Sequence, residues 1–360
     1  MGSLGDHHHK AFDKSSDVPA DMPIINYAKL LDSSRGKRKD EFEKLDKSLR
    51  TYGFFYLSDH SISQDLVDEA FRWSKRFFDL PVEIKEKVAH PASGAIEDHR
   101  GWAQDGLGHV SQLVFDADQV KQLRVTSPEC KETLEMGNPH PNSFSPPNRT
   151  LPDDDLPGFN SFVEQWWDEC TRLERSLLHI LGQVLQLEDD TLLCQLQSKD
   201  VCHISWAFYP SMPIAPLTNN MQRRLNAHTD FGSLTLLFQD MVGGLEVHDG
   251  NDFKPVVPKR GTVVCNVGDM LERQTNGRWK SALHQVAAPK EVMIQKSFEP
   301  NKSVVDRYSI IYFGLADPEA MIESFPGCEE SGKWKPTMVG DWDERMTSAQ
   351  WLQKRLALEY

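Results

Sequence analysis

The sequence has no apolar run approaching the roughly 20 residues that cross a bilayer as a helix, so it reads as a protein that does not span a membrane. Basic residues are in deficit. Forty Lys and Arg against 54 Asp and Glu give a formal net charge of −14, which argues against a nucleic-acid binder relying on a basic face. No apolar segment opens the chain, so no secretory signal is expected. There is no Cys-x-x-Cys pair. The six cysteines, 130, 170, 194, 202, 265 and 328, are scattered, and Cys170 and Cys265 sit inside apolar patterns. That suits reduced thiols in a cytoplasmic protein better than a disulfide framework. No internal repeat is present. What remains is an ordinary globular composition, 39% hydrophobic and 26% charged over 360 residues, long enough for a large core.

Residues 1–21, with the His7-His8-His9 run, read as a disordered leader, adventitious metal binding being the alternative. A short strand at Pro23–Tyr27, a charged helix over 37–51, and an aromatic strand at Phe54–Leu57 follow. Ser63 can cap a helix whose apolar positions from Leu66 to Phe78 recur every 3.6 residues. Residues 91–160 are rich in Gly, Pro, Asn and Asp, and long connections of that kind carry function or cover something. Ser161 to about Leu187 is the clearest helix, with an apolar face broad enough for a buried scaffold.

Beyond residue 200 the period changes to two. Segments 201–209, 234–239, 243–248, 253–257, 262–267, 281–287 and 306–314 read as short strands, with turns at Asp249-Gly250 and Asn276-Gly277. Helices followed by many short strands predict an α+β protein, a helix-supported sandwich closed as a jelly roll or barrel. A helical pattern returns near 348–358.

One stretch carries chemistry. His228-Thr229-Asp230 opens an apolar, β-prone run, and strand parity projects His228 and Asp230 to the same side. Thirteen histidines in a chain with 54 acidic residues among 360 produce about two such pairs by chance, so the pair needs a third ligand. Two histidines lie downstream. His248 abuts the Asp249-Gly250 turn and reads as solvated, whereas His284 lies among small and apolar residues, as a core histidine or a ligand. Two histidines and a carboxylate with open positions suit non-haem Fe(II), while a structural zinc site would be closed by a fourth ligand, for which Cys265 is available.

Arg307 and Ser309 share a face of an apolar strand, and an arginine there needs an anion: a small carboxylate or an internal Asp or Glu. His203, Ser205, Ala207 and Tyr209 share a strand face and can look into the same cavity or into plain core. Arg100, in the long connection, reads as solvated, with an anionic substrate group as the alternative.

These pieces, in order, resemble the isopenicillin N synthase-like branch of the Fe(II)/2-oxoglutarate-dependent dioxygenases. The resemblance runs through Pro23–Asn26, Tyr52–Leu57 with His60, Phe77–Glu83 with Lys85, His228-Thr229-Asp230, Gly244-Leu245, Asn266–Asp269, Thr275–Gly277, Ser281–His284 and Arg307-Tyr308-Ser309, over roughly residues 22–318. The run from Lys131-Glu132 to Gly137 matches more loosely. It implies a double-stranded β-helix (jelly roll) with supporting N- and C-terminal helices. It further implies iron held by His228, Asp230 and His284, and the distal carboxylate of 2-oxoglutarate held by Arg307 and Ser309, with Tyr209 assisting. By parity and family analogy the substrate meets His203, Ser205 and Phe313.

Two departures stand out. His284 and Arg307 lie 23 residues apart, about twice the family gap, which marks an insertion over about 289–306 that can act as a lid. Ala207 replaces an asparagine common at that position. The expected organisation is a leader (1–21), a helix-rich support region (22–195), the catalytic jelly roll (196–320) and a helical tail (321–360), forming one compact unit.

The implied reaction uses Fe(II), 2-oxoglutarate and O2 to hydroxylate, desaturate or rearrange a small molecule of specialised metabolism. A same-branch iron oxidase that does not use 2-oxoglutarate, a non-catalytic binding module and a zinc hydrolase are the competing readings.

Overall fold

In the computed structural model the described residues are 15–91, 100–104, 129–140, 143–218, 222–289, 302–328 and 345–359. Fourteen strands occur among them: β1 (Ile24–Asn26), β2 (Phe54–Ser58), β3 (Gly101–Ala103), β4 (Glu132–Met136), β5 (His203–Tyr209), β6 (Met212–Pro213), β7 (Leu225–His228), β8 (Leu234–Gln239), β9 (Leu245–His248), β10 (Phe253–Pro255), β11 (Thr262–Val267), β12 (His284–Val286), β13 (Ser303–Val304) and β14 (Arg307–Phe313). An eight-stranded sheet runs β1-β2-β11-β8-β14-β5-β4-β3, and a four-stranded sheet runs β10-β9-β12-β7. β6 and β13 form a separate two-stranded pair.

The large sheet is amphipathic strand by strand. Ile204 and Trp206 of β5, Ile310 and Tyr312 of β14, Leu236 and Phe238 of β8, and Cys265 of β11 turn to one side and join the helical core. Alternate residues such as Ala207, Tyr209, Leu237 and Val264 form a second cluster with Leu245, Val247 and Val286 of the small sheet. The two sheets therefore face each other across the second cluster, as in a jelly roll.

The outer face is covered by the Phe159–Leu185 helix. Its Trp166 sits edge-on to Phe238 at 4.8 Å, and Trp167 packs on Tyr312 at 5.5 Å. Truncating a fully buried tryptophan such as Trp166 costs about 3–5 kcal/mol, so this helix makes the sheet's outer face rigid. The Gln64–Phe78 helix begins as expected, with Ser63 Oγ accepting the Leu66 N–H at 3.3 Å.

Buried in the helix–sheet interface is Glu174, only 1% exposed. Burial pushes its carboxyl up to about 8; Arg175 opposes the shift and Asp200 adds to it. The folded chain thus keeps a proton that the unfolded chain releases, and stability falls as pH rises from the ordinary glutamate range to about 8. Glu174→Gln removes that dependence. We expect the wild type to lose about 2–5 °C relative to Glu174→Gln between pH 5 and pH 9, the other titrating groups being common to both proteins. Parallel melting curves would refute this.

Several expectations need correction. Part of the leader is ordered against the small sheet, because its backbone completes the open edge of β10: Ser16 N–H donates to Phe253 O and Ala20 N–H to Pro255 O. The His7-His8-His9 run lies outside the described residues. The turn at Asn276-Gly277 is present, with positive φ at both residues, 51° and 76°, but it follows a helix, Asp269–Gln274, that was not expected. Only residues 284–286 of the expected 281–287 strand pair. Of the inserted segment, 302–306 is described and supplies β13, which pairs with β6; residues 290–301 lie outside the described set.

Candidate active site

His228 ends β7 and His284 begins β12, and the two are cross-strand partners. Asp230 does not continue a strand with His228, contrary to the parity reading. It lies in the loop before β8, because that loop is tied down elsewhere: Asp269 N–H donates to Asp230 O at 2.8 Å and Met270 N–H to Gly232 O at 3.0 Å. Backbones meet so closely here that a Cβ on Gly268 would lie 2.3 Å from the Gly232 carbonyl oxygen.

The three side chains nevertheless converge. Their ligand atoms all lie within 4.8 Å of one another, and no other such group of His, Cys, Asp and Glu occurs among the described residues. His228 Nε2 is 3.8 Å and His284 Nε2 is 3.5 Å from Asp230 Oδ1.

Second interactions prepare each ligand. His228 Nδ1 lies 2.8 Å from Asn226 O and His284 Nδ1 lies 3.1 Å from Ala282 O. A carbonyl only accepts, so each Nδ1 carries the proton and each Nε2 lone pair faces the shared point. Asp230 Oδ2 accepts from Thr235 Oγ1 and Asn266 Nδ2, both at 2.6 Å, which leaves Oδ1 for a metal. Burial, then the neighbouring His284, push His228 well below the ordinary imidazole range, so it is neutral and ready to bind metal. The donor set fits a divalent iron with open positions.

Cys265 points to the helical side of the sheet and cannot close a zinc site. His248 is also no ligand. It is half-buried against Phe253 at 5.1 Å and accepts the Gly250 N–H at 3.2 Å, so the turn it borders captures it instead of exposing it.

The loop around Asp230 is anchored from the C-terminus. Asp269 accepts from Thr229 Oγ1 at 2.6 Å and Ser281 Oγ at 2.8 Å, and pairs with Arg355 of the Ser348–Glu359 helix at 2.8 Å. Trp351 Nε1 donates to Phe231 O at 3.0 Å. One carboxylate thus ties together the segments that carry Asp230 and His284. Asp269→Asn should weaken iron binding about tenfold, measured by metal titration against a competing chelator. Unchanged affinity would remove this positioning role.

The cavity between the sheets is lined by the three ligands together with His203, Ser205, Tyr209, Arg307, Ser309 and Phe313, whereas Arg100, His248 and Cys265 do not line it. Arg307 is 1% exposed; its Nη1 is 3.3 Å from Ser309 Oγ, and its guanidinium carbon lies 4.8 Å above the Tyr209 ring. Arg100 is not solvated. It is 2% exposed behind the cavity wall, with Nη1 2.5 Å from His203 Nδ1, because the chain at Gly137 leaves its guanidinium just enough room. Thr133 and Glu135 also line the cavity and were missed. The alternation of apolar Leu134 and Met136 with polar Thr133 and Glu135 was the available signal.

A facial set of two histidines and a carboxylate, inside a jelly roll and open on one side, defines a non-haem iron oxygenase. The chain belongs to the 2OG-Fe(II) oxygenase superfamily. That family's model matches residues 194–315, and residues 22–159 match the model described as non-haem dioxygenase in morphine synthesis N-terminal. The chain is 38% identical over 349 residues to the 2-oxoglutarate-dependent dioxygenase lolO1 of Epichloe uncinata, covering 95% of each chain. It is 35% identical to gloF of Glarea lozoyensis, named likewise, covering 88% of this chain and 92% of that one. Its structure is similar to the Neurospora crassa T7H solved with alpha-KG, at 28% identity and a TM-score of 0.78, covering 93% and 96% of the two chains. The protein is a non-haem Fe(II)/2-oxoglutarate-dependent dioxygenase that oxidises a small molecule.

Proposed function

We propose that Arg307, Ser309 and Tyr209 hold the distal carboxylate of 2-oxoglutarate, and that His203, Ser205 and Phe313 form the substrate end of the cavity. The observation that carries the first assignment is the state of Arg307. It is fully buried, makes no ion pair among the described residues, and its Nε has no hydrogen-bond partner. Asp240 balances its charge only from beyond ion-pair distance, and Nη2 reaches Gln239 Oε1 at a long 3.5 Å. A buried charge without a close counter-ion costs several kcal/mol, and stacking over Tyr209 returns only about 0.5–2. The missing partner is an anion, and a cosubstrate carboxylate supplies it.

Iron with 2-oxoglutarate and O2 supplies the oxidation of a substrate C–H bond, with succinate and CO2 as co-products. The chain's own residues orient and shelter. His228, Asp230 and His284 occupy one side of the metal position, which leaves the cavity side for cosubstrate and substrate. Leu225, Leu237, Leu245, Val286 and Ile311 make the wall around them apolar and exclude water. The His203 ring lies tilted against Phe313 at 5.8 Å, and Thr133, Glu135 and Ser205 make that end of the cavity partly polar.

The experiment compares binding of 2-oxoglutarate with 2-oxopentanoate, which has the same chain without the distal carboxylate. The wild type should prefer 2-oxoglutarate strongly, and Arg307→Ala should erase the preference.

The organisation proposed is one catalytic unit, its support region and tail closing on a single jelly roll. Specialised metabolism is the setting assigned to it. A reducing, cytoplasmic location is part of the proposal, with five of the six cysteines buried as thiols. No helix among the described residues is long and apolar enough to cross a membrane.

A further inference from the structure

The substrate end of the cavity contains a carboxylate that iron binding does not use. Glu135 of β4 stands opposite Ser205 of β5 on the inner face, and is 7% exposed. Ser205 Oγ donates to its Oε1 at 2.8 Å, and His203 Nε2 bonds its Oε2. Behind the imidazole stands Arg100, Nη1 on His203 Nδ1. A guanidinium only donates, so Nδ1 is the acceptor and the imidazole proton lies on Nε2, directed at Glu135. His203 is therefore neutral, as its burial also favours. It relays the orientation of Arg100 without adding charge to the wall.

Glu135 stays anionic. Burial works against its charge, but hydrogen bonds from His203, Ser205 and Thr133 favour the ionised form, and the carboxyl lies below its ordinary range. The remaining charges that line the cavity have other assignments. Asp230 faces the metal, Arg307 faces the cosubstrate, and Lys131 pairs with Glu129 at 3.3 Å. Three donors meet Glu135, and a carboxylate offers about four acceptor positions, so one remains for whatever enters the cavity.

We propose that Glu135 is a substrate-recognition residue and that the substrate carries a protonated amine nitrogen, which Glu135 receives at the end of the cavity formed by His203, Ser205 and Phe313. A buried carboxylate in an apolar wall favours a cation over a neutral group of the same shape and rejects a carboxylate. This inference rests on the iron and 2-oxoglutarate reading for its setting, since that reading occupies Asp230 and Arg307.

The test uses the full chain with Fe(II) and 2-oxoglutarate, without oxygen, and two probes of one shape: cyclohexylamine, protonated at neutral pH, and cyclohexanol. Binding is followed by saturation-transfer NMR with titration. The wild type should bind the ammonium about tenfold or more tighter than the alcohol, the increment of a hydrogen bond to a charged group. Glu135→Gln, which keeps the shape and removes the charge, should bring the two probes within about twofold while leaving 2-oxoglutarate affinity unchanged. Equal binding of the two probes by the wild type overturns the proposal and needs no variant to fold. So does an ammonium preference that survives in Glu135→Gln. Failure of the cosubstrate reading has a separate signature, loss of the 2-oxoglutarate preference over 2-oxopentanoate, and leaves the amine comparison intact.

Discussion

Asp230→Ala should lower Fe(II) affinity about 10³-fold and bring succinate formation to background. The magnitude follows from dividing a metal-site binding energy of about 10–16 kcal/mol among a few ligands, which makes each worth about 3–4 kcal/mol or more. Asp230 is also the only anionic member of the set, and its loss leaves two neutral imidazoles to hold a divalent cation. The effect should be separable from unfolding. Thr235 and Asn266 lose an acceptor, yet both reach the cavity and can turn to water there. Removing their support while keeping the ligand, as in Asn266→Ala, should cost only about 10–100-fold in iron affinity. The measurement is anaerobic Fe(II) titration followed by a succinate assay. Wild-type iron affinity in Asp230→Ala would dismiss the proposed centre.

Arg307→Ala should raise the dissociation constant for 2-oxoglutarate about 100-fold and leave iron affinity unchanged. Truncating one partner of a buried charge pair costs about 2–5 kcal/mol, mostly because the other charge is left without its counter-ion. Arg307→Lys should recover little. An ammonium cannot make the parallel bonds of a guanidinium fork, and it is more costly to dehydrate. Ser309→Ala should lose about tenfold, the worth of one hydrogen bond to a charged group. Calorimetric titration of 2-oxoglutarate into the iron-free and metal-loaded protein distinguishes these cases. An Arg307→Ala protein with undiminished 2-oxoglutarate affinity would leave the clamp without support.

Much of this site is legible in local patterns. The two-residue period of β5 and β14 is plain, and it puts His203, Ser205 and Tyr209, and Arg307, Ser309 and Phe313, on single faces; pairing of Arg307 with Tyr209 and Phe313 with His203 then brings the two faces together. The long amphipathic helix is equally plain, because its apolar stripe must cover a sheet. The errors share a cause. Asp269–Gln274 is six residues long, too short to show a helical period, so only the Asn276-Gly277 turn that follows it was legible. Arg100 sits in a segment without periodicity, so nothing local says that its guanidinium will be folded under Gly137 and against His203. Glu132 and Glu135 look alike in sequence. Glu132 turns outward to Lys85 and Trp102, while Glu135 turns inward, and only the place of β4 beside β5 decides which face is the cavity.

By itself, then, the sequence determined which side chains share a strand face and which types of metal donor and anion clamp are available, because backbone geometry alone sets the direction of each side chain. Tertiary structure decided the rest. Cross-strand pairing brings His284 to His228 across 56 residues, carbonyls of Asn226 and Ala282 choose the tautomers, and Asp269 with Arg355 holds the loops. Convergence of that kind depends on which distant segments pack together, and packing is a property of the whole core rather than of any one stretch.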